Sequence, residues 1–216
     1  MKLNRGIYSS FYSVVLLIVG NYCLLLYRIL QAPSNNISKI LLSNQTISNL
    51  NEVNLSKNPI SEWSDVLNLS ALLPNLQILA LNECSIKNIE FPHTLFIGGK
   101  EVKEEKIWFP KLHMLQLSSC KIDNWASVEA LNAIPNMVHF KFKNNPILEK
   151  ESRETCRQLL IAAIKSLAYL NGSLIEKQER RGAEIDFLKK YGKEYLSLQE
   201  SNDEKQMIAF KNAHPR

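Results

Sequence analysis

Apolar side chains recur through the middle of the chain with a spacing that is neither helical nor simply alternating. Leu50, Val53, Leu55, Asn58 and Ile60 set the pattern: apolar positions at the first, fourth, sixth and eleventh places, Asn or Cys at the ninth. Leu76, Leu79, Leu81, Cys84 and Ile86 repeat it, as do Leu112, Leu115, Leu117, Cys120 and Ile122, and then Met137, Phe140, Phe142, Asn145 and Ile147. The copies start 26, 36 and 25 residues apart. Alternation across Val53–Leu55 and its equivalents predicts a short strand with one face buried. The Asn or Cys position predicts a turn, where a small inward polar side chain bonds the backbone groups that the turn frees. A degenerate further copy is read from Ile37 through Ile40, Leu42 and Gln45 to Ile47, only 13 residues before the next start.

The segments that return to the next strand read as short helices. Ser64-Asp65 precedes Val66, Leu67, Leu69, Leu72 and Leu73 and stops at Pro74; Ser127 precedes Val128, Ala130, Leu131 and Ile134 and stops at Pro135. A capping residue before and a proline after is the expected punctuation. Trp63 and Trp125 hold equivalent places and are expected to fill the convex layer. The long middle interval contains Phe96–Ile107, rich in glycine and charge, and predicts an inserted disordered loop in preference to a second contact around Gly98–Glu105. Beyond the last copy, Cys156, Leu159, Leu160, Ala163, Ile164 and Leu167 share one face of a helix expected over Glu149–Leu167. Leu167–Gly172 predicts a short strand and turn, and Ser173-Leu174-Ile175-Glu176 a capping box that opens a charged helix from Ile175 to about Leu198.

A period in this range with this motif is the mark of a leucine-rich repeat array. The predicted fold class is therefore α/β: a leucine-rich repeat solenoid with parallel strands on its concave face, a helical C-terminal cap and an N-terminal apolar helix. The expected divisions are residues 1–35 as the apolar segment, 36–148 as repeats, 149–198 as cap and 199–216 as a flexible tail. Ile7–Tyr27 is a run of 21 uncharged residues flanked by Lys2, Arg5 and Arg28, long enough as a helix for a membrane span. A cleaved signal peptide fits less well, because Pro33 would follow the cut after Ala32.

Charge narrows the function classes. The chain carries 26 basic and 21 acidic residues. Residues 1–35 hold 3 basic and no acidic side chains, residues 36–148 hold 10 of each, and residues 149–216 hold 13 basic and 11 acidic. No basic stripe follows a phosphate backbone, so nucleic acid is not an expected partner. His93, His113, His139 and His214 share no spacing with carboxylates or cysteines, so no enzyme, metal or cofactor is expected. Cys84 and Cys120, at the turn position, are read as buried structural thiols.

What remains is a binding surface. On each strand the residues between the buried leucines face the concave side. These candidate partner-binding residues are Glu52, Asn54 and Ser56; Ile78, Ala80 and Asn82; Met114, Gln116 and Ser118; His139, Lys141 and Lys143, with Lys57 and Glu83 at the border. An apolar centre with a basic edge at Lys141 and Lys143 suits a protein partner with acidic surface.

The chain from Leu50 onward resembles the leucine-rich repeat region of the tubulin-specific chaperone E (tubulin-folding cofactor E) family; the cofactor E-like relatives share this region. The resemblance rests on VNLSKNPISEW (53–63), LPNLQILALNECSI (73–86), FPKLHMLQLSSCKIDNW (109–125), LLIAAIKSLAYLNGSLI (159–175), ERRGAEIDFLKKYGKEY (179–195) and the closing AHPR (213–216). It implies a non-enzymatic cytoplasmic chaperone, associated with the cytoskeleton, that binds α-tubulin and works with other tubulin-folding cofactors on the tubulin heterodimer. Family members normally carry a CAP-Gly module before the repeats and a ubiquitin-like domain after them. This sequence shows neither, which leaves two expectations open: a truncated product, or repeats joined to the wrong first exon. The alternative reading is a membrane-anchored or secreted leucine-rich repeat interaction module, motivated by Ile7–Tyr27 and by Asn-x-Ser/Thr acceptors at Asn36, Asn44, Asn54, Asn68 and Asn171.

Overall fold

The computed structural model describes residues 28–41, 46–92, 95–97, 100–102, 107–201 and 203–213. The expected apolar helix over Ile7–Tyr27 lies outside them. Among the described residues no helix is long and apolar enough to cross a membrane.

Seven short strands form one sheet. They are β1 (Ile29–Gln31), β2 (Glu52–Asn54), β3 (Ile78–Ala80), β6 (Met114–Gln116), β7 (His139–Lys141), β8 (Tyr169–Leu170) and β9 (Ser173–Leu174), in that spatial order. All neighbours pair in parallel except β8 and β9, which form an antiparallel hairpin. Parallel neighbours need a crossover. Helix α1 (Trp63–Leu72) supplies one, and α2 (Trp125–Ala130) with a 3-10 turn over Leu131–Ala133 supplies another. The register sets Leu30, Val53, Leu79, Leu115, Phe140 and Leu170 in one row across the sheet. Leu55, Leu81, Leu117 and Phe142 form a second interior row, each at most 1% exposed. Burying a leucine of this kind contributes about 2 kcal/mol. Trp63 and Trp125 are buried on the convex side.

The first repeat sits elsewhere than the Ile37 start. Leu30 pairs with Val53, so Leu30, Ala32, Asn35 and Ile37 stand where Val53, Leu55, Asn58 and Ile60 stand in the next repeat. Ile37 is the last position of its motif, not the first. The preceding apolar run masks the two-residue alternation at Leu30 and Ala32, and the described array begins seven residues before the expected boundary at 36.

Every repeat turns through a left-handed residue directly before the Asn or Cys position: Ser34 (φ 57°), Lys57 (60°), Glu83 (57°), Ser119 (58°) and Asn144 (53°). None is glycine, so each turn costs about 1 kcal/mol in backbone strain. Inward side chains offset this. Asn58 donates Nδ2 to the carbonyls of Ala32 (2.9 Å) and Leu55 (2.7 Å), while its Oδ1 accepts the backbone N–H groups of Asn35 and Ile37 (2.9 Å each). Cys84 and Cys120 donate Sγ–H to the carbonyls of Leu55 (3.5 Å) and Leu81 (3.2 Å). Asn145 donates to Leu117 O (2.8 Å), but its buried Oδ1 has no partner among the described residues.

The insertion between β3 and β6, read as a loop, contains an antiparallel pair, β4 (Leu95–Ile97) and β5 (Lys100–Val102). Its flanks are anchored. Phe91 packs against Trp63 and Trp108, with ring centroids 5.9 and 6.0 Å away, and Phe109 N–H donates to Ser70 Oγ at 2.8 Å.

The cap departs from expectation in three places. The helix read over Glu149–Leu167 is a 3-10 helix (Pro146–Lys150) followed by α3 (Arg153–Ala163), whose N-cap Ser152 Oγ accepts the Thr155 N–H. Ser173 and Leu174 pair as β9 instead of forming a capping box, because Asn171 and Gly172 take left-handed conformations (φ 54° and 89°) that make a hairpin. Helix α4 therefore starts at Lys177 and runs to Ser201. Residues 204–213, part of the expected flexible tail, form α5 (Glu204–Ala213). Asp203 Oδ1 accepts the Gln206 N–H at 3.0 Å, and buried Phe210 meets Tyr191 and Tyr195 at 6.4 and 6.0 Å.

Two arginines fasten α4 to the array. Arg157 grips Glu179 with both Nε and Nη2 and also donates to the carbonyls of Leu170 and Leu174. Arg180 donates to the carbonyls of Ile161 (2.9 Å) and Ile164 (3.5 Å), which the end of α3 leaves open, and to that of Leu167 (2.6 Å) in the segment that follows. The Arg157 guanidinium, with smaller help from Arg180, holds the Glu179 carboxyl below its ordinary value of 4.5.

Asn58→Ala is expected to lower stability by about 3 kcal/mol, because it strands the N–H groups of Asn35 and Ile37 and the Ala32 carbonyl, and Cys120→Ala by about 1 kcal/mol. Asn145→Ala should fall between them. Urea unfolding measures all three, and equal losses at Asn58 and Cys120 would contradict the roles given to them. A depressed folded-state pKa contributes stability that is complete above the unfolded value and disappears as pH falls through the folded one. Acidification below 4.5 should therefore destabilise the cap of the parent chain more than that of Glu179→Gln. Circular dichroism melts across pH 3 to 6 check this, and parallel curves for the two chains would refute it.

Candidate protein-binding face

Strand alternation and shared register assemble the candidate residues into three columns. Glu52, Ile78, Met114 and His139 lie in register as the first column, which Ile29 and Tyr169 extend at its ends. Asn54, Ala80, Gln116 and Lys141 form the second, extended by Gln31. Ser56, Asn82, Ser118 and Lys143 follow at the turn end. All twelve predicted positions therefore share one face. Ile29, Gln31 and Tyr169 were missed, since their strands carry no complete copy of the motif.

Exposure differs along the face. Lys141 and Lys143 are exposed, most of the others are half-buried, and Ala80 and Ser56 are 7% and 9% exposed. Those two shape the face more than they present atoms to a partner. Side-chain amides bridge neighbouring repeats: Asn54 donates to Gln31 Oε1 at 2.8 Å, Gln31 to Glu52 Oε1 at 3.2 Å, and Asn82 to Gln116 Oε1 at 3.1 Å. Backbone contacts add to this, with Ser118 N–H donating to Asn82 Oδ1 and Asn82 N–H to Ser56 Oγ. These bonds hold the polar side chains in place before any partner arrives. Toward β8 the surface becomes aromatic. His139 stacks on Tyr169 with ring centroids 4.4 Å apart and planes 8° from parallel, and His113 meets His139 edge-on at 6.3 Å. Lys57 and Glu83 pair across the border at 3.5 Å, both well exposed.

The remaining candidate chemistry is structural. Burial pushes the thiol of Cys84 up to about 11 and that of Cys120 up to about 12, so neither ionises near neutral pH. No three His, Cys, Asp or Glu side chains among the described residues converge as a metal site. His93 and His214 lie outside the described residues.

No family model matches the chain. Tubulin-specific chaperone E of Danio rerio is 33% identical over 191 residues, which cover 87% of this chain and 35% of that protein. The chain is a homologue of tubulin-specific chaperone E. The tubulin-folding cofactor E of Arabidopsis thaliana is 34% identical over 146 residues, 67% of this chain and 27% of that protein. The chain thus spans about a third of the length of the curated relatives it matches. A chain in the crystal structure of the Drosophila melanogaster SNF/U2A' complex superposes with a TM-score of 0.59, at 20% identity and over 76% of this chain and 84% of that one. That likeness supports the fold.

The structure also weighs against the glycosylated alternative. Asn68 Nδ2 donates to Ile40 O at 2.6 Å, Asn54 Nδ2 to Gln31 Oε1, and Asn171 Nδ2 to Phe142 O at 3.2 Å. A glycan on any of these nitrogens would disrupt the fold's own hydrogen bonds.

Ellman's reagent at pH 8 is expected to leave Cys84 and Cys120 unmodified in the folded chain and to react with both in denaturant. Mass spectrometry of the tryptic peptides reads this, and native-state labelling of either thiol would contradict its structural assignment.

Proposed function

We propose that the chain is a non-enzymatic tubulin chaperone that grips α-tubulin on its concave face. It would act in the cytoplasm with other tubulin-folding cofactors during assembly of the tubulin heterodimer. The observation that carries this reading is the 33% identity to tubulin-specific chaperone E over 87% of the chain. The face fits the role. Ile78 and Met114 supply a half-buried apolar centre, the bridged amides supply fixed polar partners, and Lys141 and Lys143 supply a basic end for an acidic protein surface. Binding of this kind spends its energy on shape and charge, so no reacting side chains are required.

Pull-down of purified α-tubulin by the full chain tests the proposal. Met114→Glu combined with Lys141→Glu is expected to weaken retention about tenfold or more, the usual effect of removing central contacts. Unchanged retention by this variant would move the partner off the concave face. Absence of retention by the parent chain would reject α-tubulin as its partner.

A further inference from the structure

The stack of turns ends one rung short. In each repeat the left-handed turn residue gives its backbone N–H to a carbonyl of the next: Ser34 to Ser56 (3.0 Å), Lys57 to Asn82 (2.8 Å), Glu83 to Ser118 (2.8 Å) and Ser119 to Lys143 (2.7 Å). Asn144 is next in the series and takes the same conformation, φ 53°. No acceptor among the described residues meets its N–H. The cause is the β8–β9 hairpin. The Asn171 side chain completes the preceding rung, accepting Phe142 N–H at 2.8 Å and donating to Phe142 O at 3.2 Å. The chain then reverses at Gly172 and never reaches Asn144.

A cleft of about 540 Å³ opens beside this unfilled rung, between the last turn, the 3-10 helix and α3. That is room for a few side chains. Phe142, Leu148 and Leu160 supply an apolar lining, while Lys143, Arg153 and Arg157 face one acid, Glu149. Arg157 is already committed to Glu179. Lys143 and Arg153 have no ion pair among the described residues. A backbone donor, an apolar lining and two cations that outnumber the one acid therefore share one cleft.

We propose that this cleft binds an extended acidic segment of a partner protein. The segment continues the turn ladder by offering a backbone carbonyl to Asn144 N–H. It lays an apolar side chain against Leu148 and Leu160 and sets carboxylates against Lys143 and Arg153. Main-chain pairing supplies affinity in such strand additions, and the side-chain contacts supply selectivity. The cleft lies on the turn edge and shares only Lys143 with the concave columns, and the proposal does not depend on which protein occupies that face.

A fluorescein-labelled octapeptide of alternating glutamate and valine, titrated against the full chain, tests this. Anisotropy should show saturable binding. A glutamine-for-glutamate control and the Arg153→Glu chain should each bind about tenfold more weakly, whereas Lys165→Glu, another exposed cation, should leave binding unchanged. Hydrogen exchange at the Asn144 amide should slow about tenfold when the glutamate peptide is present. Melting curves confirm that each variant is folded. Absent binding, equal binding of the glutamine control, indifference to Arg153→Glu, or unchanged exchange at Asn144 would each overturn the proposal. Loss of peptide binding in Met114→Glu, Lys141→Glu would place the peptide on the concave face and overturn it as well.

Discussion

A parallel sheet of three-residue strands leaves more backbone unpaired at its turns than within its strands, and the protein depends on how those turns are satisfied. Each turn passes through a left-handed residue that is not glycine, at a local cost in strain. Up to Ser119 the N–H of that residue reaches the next repeat, and from Asn58 onward the adjacent Asn or Cys side chain reaches back to the previous one. The interior repeats are therefore held by hydrogen bonds from both neighbours as well as by their interior leucines. Asparagine serves this position better than cysteine, because Asn58 both donates and accepts where Cys84 and Cys120 only donate. The burial that makes those thiols good structural donors also makes them poor nucleophiles.

Stacking of this kind has no natural end, since the last repeat exposes both an apolar row and an open ladder. The cap deals with the first by packing and with the second only in part. Leu170 closes the interior row, and Arg157 and Arg180 tie α4 across the end by bonding carbonyls of α3 and the hairpin. Both Glu179 and Arg180 belong to the ERRGAEIDFLKKYGKEY segment, the most distinctive part of the resemblance to the chaperone family. Helix α5 then folds back, with Phe210 against Tyr191 and Tyr195, and extends the capped surface. The hairpin that makes this closure possible is also what leaves Asn144 without its rung.

The same regularity that stabilises the array builds its binding surface. Since every strand points its odd positions outward at the same register, Glu52, Ile78, Met114 and His139 must share one column whichever residues occupy them. The chemistry of the face then varies along the stack. Amides and Glu52 dominate near β2, apolar side chains lie at the centre, and His139, Tyr169 and two lysines occupy the far end. Such a gradient gives a protein partner a direction as well as a place.

The period of the motif, the four central repeats, the buried rows and all twelve concave positions were legible in the sequence, because each follows from local alternation and from the small inward residue at the turn. Tertiary structure decided what local pattern could not. The strand at Leu30 emerged from an apolar run only by pairing with Val53. Ser173 and Leu174 became a strand instead of a helix cap because β8 lay beside them. The short sequence of α5 was too brief to announce a helix until Tyr191 and Tyr195 offered Phe210 a place to bury. Repetition encodes its own geometry along the chain, whereas the ends of a stack have no neighbour to repeat and take their form from whatever surface the stack presents to them.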